Sequence, residues 1–215
     1  DQFVNPNVEL LDCDKGKNLR HVFKSHPHKK WILLHSEINS IEEKKYTNTG
    51  YFETAFWWSH AILSLDWYRF AQHDNRLHNN NQSAAKIFLI YSRDQSGSRK
   101  YRKQIQSMIQ ADPTLLQCTQ FGSFDNSSAE PDQSASYNYV DLNQTNISII
   151  LETVFDQRIH LTEKTLRSIA TGHPFLLANG PGCLKFLRSY GFKTFSPWIN
   201  EAYDTVIDPY ERLQA

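Results

Sequence analysis

The chain has 215 residues, of which 40% are hydrophobic and 13% aromatic, and its 23 basic side chains balance 23 acidic ones. This hydrophobic content is enough for a packed core and argues against a disordered chain. A net charge of zero argues against a nucleic-acid coat protein or a polybasic membrane binder. No stretch approaches the roughly 18 apolar residues of a membrane span, so we expect no transmembrane segment.

The cysteines and the two ends of the chain bear on its compartment and processing. The three cysteines are odd in number and far apart, which fits neither a disulfide framework nor a zinc site. The first twenty residues also lack a secretory signal pattern, and we therefore predict a cytoplasmic protein. The chain starts without methionine, and Asp208-Pro209 begins a helix signal near the other end. These features lead us to expect a fragment or a processed form.

The first part of the chain has no clean hydrophobic period. The apolar run 31–34 predicts a buried strand that ends in the polar cluster 35–40. Residues 55–58 suit a second strand or an irregular segment. The polar run 78–83 contains no apolar residue and predicts a linker. The predicted domains are 1–82 and 83–215.

After the linker, predicted strands alternate with predicted helices. The strands cover 86–91, 147–151, 174–178 and 192–195. The helices run from Ser98 to Gln110, from a Thr162 N-cap to about Thr171, and through Leu184 and Leu187. Tyr101, Ile105, Met108 and Ile109 are predicted to share one face of the first helix. This alternation predicts an α/β fold with a parallel, Rossmann-like sheet, in which ligands bind at the carboxyl ends of the strands.

The loop after the first of these strands leads into a helix start that is rich in basic residues. Ser98 follows a glycine, and Arg99 and Lys100 stand in the first turn. Basic side chains oppose the helix dipole at this position unless an anion is bound, whereas free N–H groups and small residues admit a phosphate. The pattern therefore allows a phosphate contact, and a solvated basic helix face is the alternative.

A second group of polar and charged residues surrounds the next predicted helix start. Its members are Glu152, Arg158, His160, Thr162, Glu163 and Lys164. A carboxylate beside an ammonium group suits a nucleotide, because the carboxylate can accept bonds from two ribose hydroxyls while the lysine contacts a phosphate. The alternative is that Glu163 simply favours a helix N-terminus. Neither a Walker-type loop nor a G-x-G-x-x-G segment is present, which disfavours an ATPase or a dehydrogenase.

A third candidate site lies in the first part of the chain. Glu37 follows the predicted strand at 31–34, where it could act as a general base across a cleft or belong to a polar turn. None of the nine histidines stands at a metal-ligand spacing with an acidic partner. We therefore predict no metal site.

Several of these segments, in this order, resemble the alpha-1,3-fucosyltransferases and their relatives, which are two-lobed (GT-B) inverting glycosyltransferases. Residues 149–152, 161–164 and 170–174 resemble that family's strand-Glu-Asn, T-E-K and small-Gly-x-x-Pro segments. Residues 86–105 are similar to its strand, serine loop and Arg-containing helix start, and 31–37 to the strand and glutamate of its acceptor lobe. The chain departs from the family's usual Asn and Tyr at Thr153 and His160.

The resemblance implies a GT-B-like fold, with a short acceptor-side lobe at 1–82 and a Rossmann-like donor-binding lobe at 83–215. It implies a metal-independent glycosyltransferase that moves a fucose-like sugar from a nucleoside-diphosphate donor, GDP-linked being one option, to a hydroxyl acceptor such as a glycan. By resemblance, Arg99 and Lys164 bind the diphosphate, Glu163 binds the ribose and Glu37 is the base. The other implied donor-binding residues are Ser98, Glu152, Arg158, His160 and Thr162.

Two other functions fit the same residues. A non-catalytic nucleotide- or sugar-binding module, derived from a truncated transferase, would keep the donor site and lack a base within reach of it. A nucleic-acid-binding domain would use the basic cluster 99–103 and need a broad positive face. The neutral total argues against that face, so no nucleic-acid partner is expected.

Overall fold

A computed structural model describes residues 25–26, 28–48, 50, 52–78, 84–122 and 136–215. These residues divide into two compact units, one with the described residues up to 36 together with those of 40–59, the other with 37–39 and the described residues from 60 onward. Residues 79–83 of the predicted linker lie outside the described residues, so the predicted boundary at 82 stays a prediction. Within the described ranges, no helix is long and apolar enough to cross a membrane.

The first unit contains a two-stranded parallel sheet. Strand β1, Trp31–His35, pairs in parallel with β2, Phe52–Phe56, so the strand predicted at 31–34 is confirmed. Its predicted burial is wrong, because Ile32 and Leu34 are 63% and 45% exposed. Two parallel strands need a crossover, which helix α1, Ile41–Thr47, supplies. The second strand begins before the predicted segment 55–58 and ends within it.

The second unit is built on a four-stranded sheet in which all strands are parallel. Its strands are β3 Lys86–Ile90, β4 Thr119–Phe121, β5 Thr145–Leu151 and β6 Phe175–Ala178. Their order across the sheet is β4-β3-β5-β6. After β4 the chain therefore crosses to the other side of β3, which makes the carboxyl ends of β3 and β5 the topological switch point. The predicted Rossmann-like α/β class is confirmed.

Helices precede and flank this sheet. They are α2 Ser59–Gln72, α3 Asn75–His78, α4 Tyr101–Ala111, α5 Pro113–Cys118, α6 Tyr139–Asn143, α7 Glu163–Ala170, α8 Cys183–Ser189 and α9 Pro209–Gln214. The helix predicted from Ser98 begins with a 3₁₀ turn, and its α-helical part starts at Tyr101. Asp112 ends α4 as predicted, and its carboxylate also caps α5 by accepting from the backbone N–H groups of Thr114 and Leu115.

A hydrophobic cluster lies beneath the switch point. Its buried members are Ile90, Tyr101, Ile109, Leu151 and Phe155. The rings of Tyr101 and Phe155 are stacked with centroids 4.3 Å apart, and Ile105 packs against the cluster. Met108, which was predicted to share one face of this helix with Tyr101, Ile105 and Ile109, is 42% exposed. It lies at the edge of the apolar stripe, which is centred on Ile105.

The strand predicted at 192–195 is wrong, because these residues form an irregular segment. The backbone N–H of Phe195 donates to the carboxylate of Glu201 at 2.7 Å, and the Thr194 hydroxyl donates to the same carboxylate at 2.8 Å. A side chain therefore satisfies the backbone donor that a neighbouring strand would otherwise satisfy. The fourth strand of the sheet is β4, which is only three residues long.

Candidate functional site

A cavity of ≈ 540 Å³ opens at the carboxyl ends of β3 and β5. The loop after β3 forms one wall, which we call the β3 wall, and the segment 160–168 forms the other, the α7 wall. The charged residues that line it are Arg93, Asp94, Arg99, Arg102, Glu163, Lys164 and Arg167. Five are basic and two acidic, so this excess of positive charge at the switch point suits an anionic ligand.

The β3 wall carries an ion pair at the surface. Asp94 accepts from the backbone N–H of Ser96 at 2.9 Å and from its hydroxyl at 2.7 Å, and these bonds lower the pKa of Asp94. The other carboxylate oxygen of Asp94 lies 2.8 Å from Nη1 of Arg99. The side chains of Arg99 and Asp94 are 35% and 46% exposed. A partly exposed pair of this kind is weak, so an anionic ligand can compete with Asp94 for Arg99.

Arg102 joins the β3 wall to the end of β5. Its side chain is buried, and its guanidinium donates to the carbonyl oxygens of Asp94 at 2.8 Å, and of Leu151 and Glu152 at 2.9 Å each. The hydroxyl of Tyr101 donates to the same Glu152 carbonyl at 2.6 Å. The guanidinium is therefore largely committed to backbone carbonyls, and Arg102 supports the cavity more than it offers charge to a ligand.

The α7 wall depends on the carboxylate of Glu152, which is fully buried. It accepts from the backbone N–H of Thr162 at 2.9 Å, from the Thr162 hydroxyl at 2.5 Å and from the Thr165 hydroxyl at 2.7 Å. Nζ of Lys164 lies 3.8 Å away. These bonds attach the first turn of α7 to the end of β5. Glu152 itself does not line the cavity, so it cannot contact a ligand there and instead holds the first turn of α7 in position.

The first turn of α7 presents a carboxylate and an ammonium group side by side. Nζ of Lys164 donates to the Thr162 hydroxyl at 2.9 Å and to Oε1 of Glu163 at 2.8 Å. Burial opposes the charge on Glu163, but the nearby ammonium group of Lys164 and the hydrogen bonds to the carboxylate lower its pKa to about 2. Glu163 is therefore ionised at neutral pH, and both charged groups line the cavity.

Two histidines line the same cavity beside Glu163. Nε2 of His60 lies 3.7 Å from Oε2 of Glu163. The ring of His60 meets the ring of His160 edge-on, with centroids 5.7 Å apart. Burial, opposed by Glu163 and assisted by His160, lowers the pKa of His60, so the imidazole is neutral at pH 7. His160 was predicted from its sequence position, whereas no spacing signal pointed to His60.

Four of the predicted residues do not line the cavity: Glu152, described above, and Glu37, Ser98 and Arg158. The guanidinium of Arg158 lies 2.9 Å from the carboxylate of Glu37 and also forms a bidentate pair with Asp156. Mutual backbone hydrogen bonds between Ile38 and Ile159, at 2.9 and 3.0 Å, place these segments side by side. Ser98 donates its hydroxyl to the carbonyl of Thr153 at 3.1 Å. The predicted residues that do line the cavity are Arg99, His160, Thr162, Glu163 and Lys164.

The described ranges contain no group of three or more His, Cys, Asp or Glu side chains that could hold a metal ion. Comparisons of the chain with protein-family models, with curated proteins and with solved structures find no match. The cavity lining and the sequence segments described above are therefore the evidence for function.

Proposed function

We propose that the chain is a glycosyltransferase of the inverting, fucosyltransferase-like GT-B type. It transfers a sugar from a nucleoside-diphosphate donor to a hydroxyl acceptor, and the Rossmann-like unit binds the donor. The observation that carries the proposal is the cavity at the switch point, where Glu163 and Lys164 on one wall accompany Arg99 on the other. This set offers a carboxylate for ribose hydroxyls and two cations for a diphosphate.

Charge and size support a nucleotide sugar as the ligand. A nucleoside-diphosphate sugar is a dianion, and basic side chains outnumber acidic ones in the lining. The N-terminus of α7, capped by Thr162, adds the positive end of a helix dipole. The volume of ≈ 540 Å³ lies within the range of about 300–1,000 Å³ typical of small-molecule sites.

The proposed transfer is a single displacement. The hydroxyl oxygen of the acceptor forms a bond to the anomeric carbon while the bond from that carbon to the diphosphate oxygen breaks. The electron pair leaves with the nucleoside diphosphate, whose charge Arg99 and Lys164 stabilise. The hydroxyl proton passes to the carboxylate of Glu37. Arg158 engages that carboxylate at 2.9 Å, so Glu37 must exchange this partner to act as the base.

The Glu37–Arg158 pair favours a second candidate function. Glu37 does not line the cavity, and its carboxylate has a basic partner outside it. A non-catalytic module that binds nucleotides or nucleotide sugars requires no base, and it would keep every residue of the cavity. This candidate predicts donor binding without transfer.

Two measurements separate these functions. Calorimetry with a panel of nucleoside diphosphates and nucleotide sugars should identify a ligand that binds. Chromatography of that donor, incubated with a panel of glycans, should then show transfer by the natural chain. Glu37→Gln should bind the donor with unchanged affinity and transfer nothing. Binding without transfer by the natural chain would support the second function, and no binding of any ligand in the panel would contradict both.

A further inference from the structure

We propose that His60 is a specificity-determining residue at the nucleoside end of the cavity. In this proposal, its imidazole controls whether the Glu163 carboxylate is free to accept ribose hydroxyls. Ribose-bearing ligands would then bind best when His60 is neutral, and ligands without a ribose would not depend on it in this way. The inference rests on the proposed function, because it assigns Glu163 to the ribose of a nucleotide.

The geometry places His60 against one specific oxygen of Glu163. Oε1 of Glu163 accepts from Lys164 at 2.8 Å, whereas Oε2 faces Nε2 of His60 at 3.7 Å. At that separation no hydrogen bond is formed, so Oε2 keeps acceptor capacity for a ligand. The side chains of His60 and Glu163 are 24% and 21% exposed, so both are accessible from the cavity. A hydroxyl that binds Oε2 must approach alongside the imidazole.

The surroundings of His60 lower its pKa. Burial is the largest influence and lowers its pKa; His160 and Lys164 act in the same direction, while Glu163 and Glu152 oppose them. Its Nδ1 is buried and has no hydrogen-bond partner within the described part of the chain. No hydrogen bond at Nδ1 therefore favours one tautomer of the ring. The imidazole becomes protonated only at a pH below about 6.5, the ordinary pKa of histidine.

Protonation of His60 should affect two kinds of ligand in opposite ways. A protonated Nε2 donates a charge-assisted hydrogen bond to Oε2 of Glu163, which occupies that oxygen and reduces its attraction for ribose hydroxyls. The same proton adds a positive charge to a cavity lined by Arg99 and Lys164, which favours a diphosphate. Acidification should therefore weaken the binding of a nucleotide sugar and strengthen the binding of a diphosphate that has no ribose.

Calorimetry with two probes tests this difference. A GDP-sugar and dimethyl diphosphate are both diesters of diphosphate, so neither changes its phosphate charge between about pH 7.5 and about pH 5.5. The affinity of the natural chain for the GDP-sugar should fall as the pH is lowered through this range, and its affinity for dimethyl diphosphate should hold or rise. His60→Gln should remove both effects. His73→Gln, a change to an exposed histidine that does not line the cavity, should retain them.

The outcomes separate this inference from the proposed function. A fall in GDP-sugar affinity that is equal in the natural chain and in His60→Gln would overturn the role of His60 and leave donor binding in place. A natural chain whose affinity does not fall would overturn it as well. No GDP-sugar binding near pH 7.5 contradicts the assignment of the cavity to that donor, and the inference about its ribose then fails with it. Thermal melting checks each variant, and His60→Asn replaces His60→Gln if the latter does not fold.

Discussion

The two walls of the cavity carry similar charges but are supported differently. The α7 wall rests on Glu152, a fully buried carboxylate that accepts from Thr162 and Thr165. The β3 wall carries the Asp94–Arg99 pair, which is partly exposed to solvent and therefore screened by salt. Buried charge-assisted bonds hold their geometry, whereas an exposed pair exchanges partners readily. The α7 wall is therefore preorganised for a ligand, and Arg99 on the β3 wall can move toward one.

The largest expected effect comes from removing the support of the α7 wall. Glu152→Ala leaves the Thr162 backbone N–H and two threonine hydroxyls without their buried acceptor, and it should lower the free energy of unfolding by about 3 kcal/mol. Donor affinity should fall with it, because Lys164 loses its fixed position. Urea unfolding measures the first effect and calorimetry the second. Glu152→Gln keeps one acceptor oxygen and should cost less; equal stability of Glu152→Ala and the natural chain would show that the wall does not depend on Glu152.

Removing one cation from each wall compares the walls directly. Lys164→Ala and Arg99→Ala should each weaken nucleoside-diphosphate binding by roughly 1.5–3 kcal/mol, as expected for a lost charge-assisted contact. Each cation already has an acidic partner at 2.8 Å, but the loss should be larger for Lys164, because the buried Glu152 fixes the position of the wall that carries it. Calorimetry measures both values.

A matched control for these variants is Arg76→Ala. Arg76 forms an ion pair with Asp74 at 2.8 Å, the same distance as in the Arg99–Asp94 pair, and it does not line the cavity. Its removal should leave nucleotide binding unchanged. Unchanged affinity in both Lys164→Ala and Arg99→Ala would contradict the donor-site assignment.

The smallest expected effect concerns the competitor on the β3 wall. Asp94→Asn removes a negative charge from the cavity lining and releases Arg99, so diphosphate ligands should bind about two- to three-fold tighter at low salt. The gain should shrink as the salt concentration rises. Calorimetry at two salt concentrations measures it, with Asp74→Asn as the control. Weaker binding by Asp94→Asn would mean that Asp94 positions Arg99 for the ligand and does not compete with it.

Local sequence patterns predicted the parts of the site that lie close together in the chain. The sequence predicts Thr162 as the N-cap of α7, and the structure confirms it. Glu163 and Lys164 follow directly in the first turn of the helix, and both line the cavity. The strands β3, β5 and β6 were recognised from short apolar runs. Strand β4 was missed, because a strand of three residues is too short to show a hydrophobic period. The segment 192–195 was predicted as a strand but is irregular, because a local pattern does not reveal whether a neighbouring strand is present to pair with it.

The sequence by itself determined the α/β class, the cap and first turn of α7, and the residue types that suit a diphosphate and a ribose. The tertiary structure alone decided which of those residues meet. In the tertiary structure His60 lies beside Glu163, Glu152 is buried behind the α7 wall, and Glu37 pairs with Arg158. Helix caps and apolar runs are local interactions, whereas these three contacts join residues far apart in the chain and depend on strand order and loop packing. The zero net charge likewise concealed a cavity in which basic side chains outnumber acidic ones.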